Sequence, residues 1–171
     1  MNFLTRLLPS FLIAWLLSFT LASLFHSQYV VNQLVNVGVA VSLDDRMRLI
    51  LDDWQGLLLT YGVIIAVALT LAFLTANWLN GKVKQSNELI FTLAGIGAFA
   101  IVLIIIESIM NINIIAGARG WGFYAQLASG AAGGFIFAKI TSRLGNTNLP
   151  KDEEDEAFAL YLLVDKPNFN L

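Results

Sequence analysis

Long unbroken apolar runs, separated by short polar breaks, set the pattern of this chain. Four runs are long enough to cross a bilayer as helices, at about residues 11–31, 56–79, 89–110 and 121–140. A spanning helix needs roughly 20 apolar residues, since each advances about 1.5 Å through a hydrocarbon layer about 30 Å thick. The runs are continuous rather than alternating, which excludes a barrel whose strands face lipid and lumen in turn. Without water to satisfy backbone groups, helices are the remaining way across.

The polar breaks define what lies between the spans. Pro9 and Ser10 suit the first turn of the first span, where a missing N–H costs little. Trp15 and Tyr29 are candidate interface anchors for it. Thr20-Leu21-Ala22 loosely matches a signal-peptidase site, and an uncleaved anchor is the expectation. Residues 32–53 form the longest connection. There Ser42 followed by Asp45 is a capping box with Asp in place of Glu. Leu43, Met47, Ile50, Leu51 and Trp54 then recur at helical spacing, opposite Asp44, Asp45, Arg46, Arg48, Asp52 and Asp53. This pattern predicts a short amphipathic helix over about 43–54, lying on the outer membrane surface. Asn77, Trp78 and Asn80-Gly81 close the second span. After Gly145 the chain becomes polar, with Pro150, the run Lys151–Glu156 and then the apolar octet Ala157–Val164, too short to span.

The expected fold is an all-α integral membrane protein. Residues 1–145 make a four-transmembrane-helix bundle with a short outer amphipathic surface helix, and residues 146–171 make a polar cytoplasmic C-terminal tail. Composition agrees: the chain is 57% hydrophobic and 13% charged, against about 25% charged in a soluble domain. Its mean hydropathy is +0.72. Arg6, Lys82, Lys84, Lys139, Arg143 and Lys151 fall on one side of the spans, and Arg46, Arg48 and Arg119 on the other. The excess marks the first side as cytoplasmic, so both termini are expected inside a bacterial inner membrane.

Composition also removes several chemistries. The chain has no cysteine, which excludes disulfides, thiol redox chemistry and cysteine-bound metals. With one histidine, His26, a haem held by two histidines of one chain is impossible. A net charge of −2 without a basic tract argues against a nucleic-acid partner. No catalytic constellation, metal site or cofactor motif is evident, and a non-enzymatic role is expected.

Three polar residues form a candidate outer binding site: His26, Glu107 and Arg119. A charge inside a span is by default a functional hypothesis. Glu107, however, lies about 27 Å along its helix from Leu89, near the outer interface. It has two readings, a structural pair with Arg119 across the turn at Asn111-Ile112-Asn113, or a proton or cation site. Arg119, between Gly117 and Gly120, suits a lipid phosphate or a carboxylate as well as that pair. His26 reads as a hydrogen-bonded residue at a helix end, or as a metal or proton site, for which the usual companion ligands are missing.

Small residues are the most specific signal. Gly130 and Gly134 form a G-x-x-x-G pair, with Ala125, Ser129 and Gly133 on an adjacent stripe; Ala94, Gly95, Gly97 and Ala98 answer from the third span. Such spacing lets helix backbones approach closely in lipid. The stripe either packs this hairpin within the chain or faces another subunit. The expected function is an accessory, scaffolding or assembly subunit that sits in membrane lipid and binds another integral membrane protein or itself. Residues 157–164 offer a dock for a cytoplasmic partner. The alternative is a small transporter or a protein binding lipid or hydrophobic ligands. If Glu107 and Arg119 form a structural pair, Glu107→Gln lowers the melting temperature of the detergent-solubilised protein; an unchanged melting curve removes that pairing.

Overall fold

The computed structural model describes residues 3–82, 86–110 and 120–146, and every described element is helical. They are α1 (Phe3–Asn36), α2 (Leu43–Leu57), α3 (Val63–Asn80), α4 (Asn87–Met110) and α5 (Trp121–Asn146). Arg119, Lys84, the turn at 111–113 and the tail beyond 146 lie outside the described residues, so the Glu107–Arg119 pair and the 157–164 octet do too. Three helical stretches are long and apolar enough to cross a membrane: Leu7–Asn36, Leu43–Asn80 and Asn87–Ser108. The expected fourth span, about 121–140, falls in α5, which is diluted by glycine, alanine and Gln126 and is not among them.

α5 lies between α1 and α4 and makes the most extensive packing of any helix. Its composition explains why. Toward α4, a Cβ placed on Gly130 would run into the Gly95 carbonyl, and one on Gly134 into the Phe91 carbonyl. Gly95 has the same relation to the Gly130 carbonyl, so these two backbones touch directly. Toward α1, the space a Gly133 side chain would need is filled by the Ser18 hydroxyl, with the Ala14 carbonyl behind it. Ser129 is fully buried and returns its hydroxyl to the Ala125 carbonyl at 3.0 Å. Ala98 is buried in the core and Ala94 half-buried against it. Successive small residues on α5 thus serve two neighbours, which is how helices in lipid gain packing energy without a hydrophobic drive.

α1 supplies a matching stripe. Ser10, Ala14, Ser18 and Ala22 recur every four residues and are all buried. One phenylalanine from each long helix fills the far end of the bundle. Phe73 of α3 stacks on Phe137 of α5 at 4.4 Å between centroids, Phe91 of α4 lies 5.1 Å from Phe137, and Phe11 of α1 meets Phe73 edge-on at 6.3 Å. Large aliphatic residues point outward instead: Leu12, Ile13 and Leu16 on α1, Val67 and Leu71 on α3, Ile101 and Ile104 on α4 are exposed. Large aliphatic side chains on the outer surface suit a chain whose solvent is lipid.

α1 ends in a Schellman motif: Gly38 takes φ 86°, Gly38 N–H donates to the Val35 carbonyl and Val39 N–H to the Leu34 carbonyl, both at 3.0 Å. The chain reverses there, and α2 runs antiparallel along α1. Ser42 caps α2 by accepting from the Asp45 N–H at 3.2 Å. α2 then continues into α3 through a π turn at Leu58–Gly62, with right-handed helical backbone on both sides. The amphipathic segment expected over 43–54 is therefore the first part of a 38-residue helical stretch, about 57 Å long at ~1.5 Å per residue.

The glycine contacts generate a direct test. Gly130→Ile must push α4 and α5 apart, and overpacking of this kind costs about 1–3 kcal/mol, or more where backbone opposes it. Gly97, whose Cβ position has nothing within 4 Å, is the control. The melting temperature should fall sharply for Gly130→Ile and stay unchanged for Gly97→Ala.

Candidate functional site

Where α1, α2 and α5 meet, polar side chains collect inside an otherwise apolar bundle. α1 contributes Ser18, Ser23, His26 and Ser27, all buried, over about 14 Å of its axis. α5 contributes Gln126, fully buried, and the π turn contributes Tyr61, 3% exposed. The Tyr61 hydroxyl donates to Gln126 Oε1 at 3.1 Å, and Gln126 Nε2 donates to the Ala22 carbonyl at 2.9 Å. A carbonyl oxygen has two lone pairs, so Ala22 serves its own helix and Gln126 together. This chain of bonds ties three helices together at one level.

The π turn is fixed from α1 as well. The Trp15 indole N–H donates to the Gly62 carbonyl at 2.8 Å, and the Phe19 ring lies against Gly62, where a Cβ would meet it at 3.4 Å. A π turn adds a residue to the helical ladder and is often found at functional sites. Here it lets Trp54 on one side and Tyr61 and Ile65 on the other all reach the core.

Nearer the α1–α2 loop lies a second polar group. The Ser27 hydroxyl reaches Asp53 Oδ2 at 2.7 Å, with the Ser23 carbonyl as a longer alternative acceptor at 3.1 Å. The bond to the carboxylate is charge-assisted and the stronger of the two. The neighbouring His26 is 8% exposed, and its Nδ1 has no hydrogen-bond partner. The hydroxyls of Ser18 and Ser23 are also buried without partners. Trp54 packs on Phe19 at 5.7 Å and donates to Thr20 Oγ1 at 3.3 Å, next to this cluster.

Serine, histidine and aspartate together have the residue types of a hydrolytic triad. Their order differs, because Ser27 bonds the acid directly rather than the imidazole that would have to take its proton. Among the described residues no three His, Cys, Asp or Glu side chains are grouped to hold a metal.

Of the outer site expected from sequence, His26 is in this junction. Glu107 is exposed near the end of α4, and Arg119 lies outside the described residues. Asp53, expected on the solvated face of α2, is half-buried and bonded to α1. Its neighbours keep the expected pattern: Asp44 and Arg48 form an exposed ion pair at 3.0 Å. Gln126 and Tyr61 were not singled out from sequence. The signal for Gln126 was present, as an uncharged amide four residues before Gly130 on the small-residue face.

Removing one member of the α1–π turn–α5 bridge leaves the others buried and unpaired, at a cost of about 1–3 kcal/mol. Gln126→Leu and Tyr61→Phe should each lower stability. Gln126→Leu/Tyr61→Phe should cost less than the sum of the two, and simple additivity in a double-mutant cycle would dissolve the bridge as a unit. Comparison with protein-family models, with curated proteins and with solved structures finds no match for this chain.

Proposed function

We propose that this chain is a multi-pass protein of a bacterial inner membrane, with α5 as a fourth span and both termini cytoplasmic. Its role is non-enzymatic: an accessory or assembly subunit that receives a transmembrane helix of another integral membrane protein. The observation that carries this reading is an open apolar groove of about 810 Å³ between α3 and α4, lined by residues such as Val67, Leu71, Ala94, Gly97, Ile101 and Ile105. A smaller hollow of about 430 Å³ shares Thr75 and Ala94 with it and continues to Trp78 and Ile90.

Length and floor favour a helix as occupant. From Val63 to Trp78 the two hollows follow α3 for about 23 Å, most of a hydrocarbon layer about 30 Å thick. Ala68, Ala72, Ala94 and Gly97 keep the floor low, and Gly97 has free space where a side chain would stand. Small residues at this spacing allow close approach of another helix. Gly95, Gly130, Gly133 and Gly134, by contrast, face neighbouring helices within the chain. The second reading, a carrier of lipid or another hydrophobic ligand, rests on the same groove and differs in its occupant.

Native mass spectrometry of the protein extracted in mild detergent from its own cells separates the two. A stoichiometric integral membrane partner should co-purify, and Gly97→Leu should remove it while leaving the melting temperature of the isolated chain unchanged. A lone chain, or one carrying only lipid, overturns the partner reading, and reproducible lipid that Gly97→Leu displaces supports the carrier.

A further inference from the structure

α2 carries an apolar edge that no other described residue covers. Leu43, Met47 and Leu51, about one turn apart, are 81%, 59% and 59% exposed. The side of α2 that meets α1 is a different one: Asp53 bonds Ser27 at 2.7 Å, and Arg46, Leu49 and Ile50 are half-buried with it. Docking on α1 thus leaves three of the five residues of the apolar face open. We propose that this edge is a docking surface for another protein, an amphipathic helix outside the bilayer with lysine or arginine beside its apolar side. The proposal rests on the chain being a subunit of a membrane assembly, and it gives that assembly a second contact away from the α3–α4 groove.

Lipid is not the cover for most of this edge. The helical stretch Leu43–Asn80 is about 57 Å long, nearly twice a hydrocarbon layer of about 30 Å. Trp78, with the Lys82 ammonium 3.8 Å from its ring centroid, anchors the α3 end at one interface. About 30 Å back along the helix from Trp78 lies Leu58, so α2 stands beyond the other interface. The aromatic pair Tyr29 and Trp121, 5.6 Å between centroids, marks the same boundary. Ser27, two residues before Tyr29, is level with Asp53. α2 runs antiparallel to α1, so Met47 and Leu43 lie about 9 and 15 Å farther out, where the surroundings are aqueous.

Charge decides the kind of partner. One position on from each edge residue, Asp44, Arg48 and Asp52 form the next row of the helix, with Asp45 beside it, and all four are exposed. Arg48 is taken up by Asp44 at 3.0 Å, which leaves the border acidic, three carboxylates against one guanidinium. Such a border repels anionic headgroups and a second copy of the same edge, and attracts a cationic surface. Apolar side chains four apart on a helix meet the apolar side of another amphipathic helix. The surface is also preformed: the Schellman turn at Gly38 fixes the reversal and Ser42 caps α2, so little ordering accompanies binding.

Photo-crosslinking of the full chain in its own cells tests this. Benzoylphenylalanine takes the place of Met47 on the docking edge and, in a separate variant, of Leu71 in the groove; both positions are exposed. Mass spectrometry then identifies the attached segment. The expected Met47 product joins α2 to a helix of another protein, outside its spans, with lysine or arginine within about four residues of the attachment. Asp52→Lys should lower its yield about threefold, the scale of one exposed ion pair, and leave the Leu71 product unchanged. A Met47 product with lipid, with a second copy, with another part of this chain or with an acidic segment overturns the docking edge. So does the absence of a product, or a yield that Asp52→Lys does not move. If Leu71 still joins a partner's span, the docking edge falls alone; if neither position joins another protein, the subunit reading falls with it.

Discussion

Everything in this bundle depends on how closely α5 can approach its neighbours. Gly95 and Gly130 bring the α4 and α5 backbones into contact, and Gly133 admits the Ser18 hydroxyl from α1. Lipid tails are as apolar as leucine, so no hydrophobic force pushes these helices together. Close backbone contact and dispersion supply the energy instead, and they require the absence of side chains at these positions. The four-phenylalanine cluster then fills the wider space at the other end, where large rings rather than small residues meet.

The same arrangement explains the position of the polar groups. α5 is flanked by protein on two sides, so Gln126 and Ser129 are placed away from lipid and find partners on neighbouring elements or on their own helix. A buried amide in hydrocarbon is costly unless paired, and Gln126 uses both ends of its side chain. His26, Ser18 and Ser23 are different, each holding a buried atom without a partner. They lie along α1 on either side of the Gln126 bridge, beside the π turn and the loosely held α2. A polar region of incomplete bonding next to an element with few buried contacts is where a bundle of this kind has room to change.

The all-helical class and the three long apolar helices were legible in the chain because they depend on local spacing. An apolar run of about 20 residues has one economical structure in lipid, Ser42 and Asp45 make a cap within one turn, and residues four apart share a helix face whatever lies opposite. The roles of Asp53, Tyr61 and Gly97 were not legible. Asp53 has the spacing of a solvated charge, and only the antiparallel docking of α2 on α1 turns it toward Ser27. Tyr61 reaches Gln126 across 65 positions, through a π turn that no residue pattern announces. Gly95 and Gly97 look alike in sequence, yet one lies under α5 and the other opens on the groove. Periodicity reports which residues share a face, but the identity of the neighbour on that face is set by long-range packing, and that the tertiary structure alone decided.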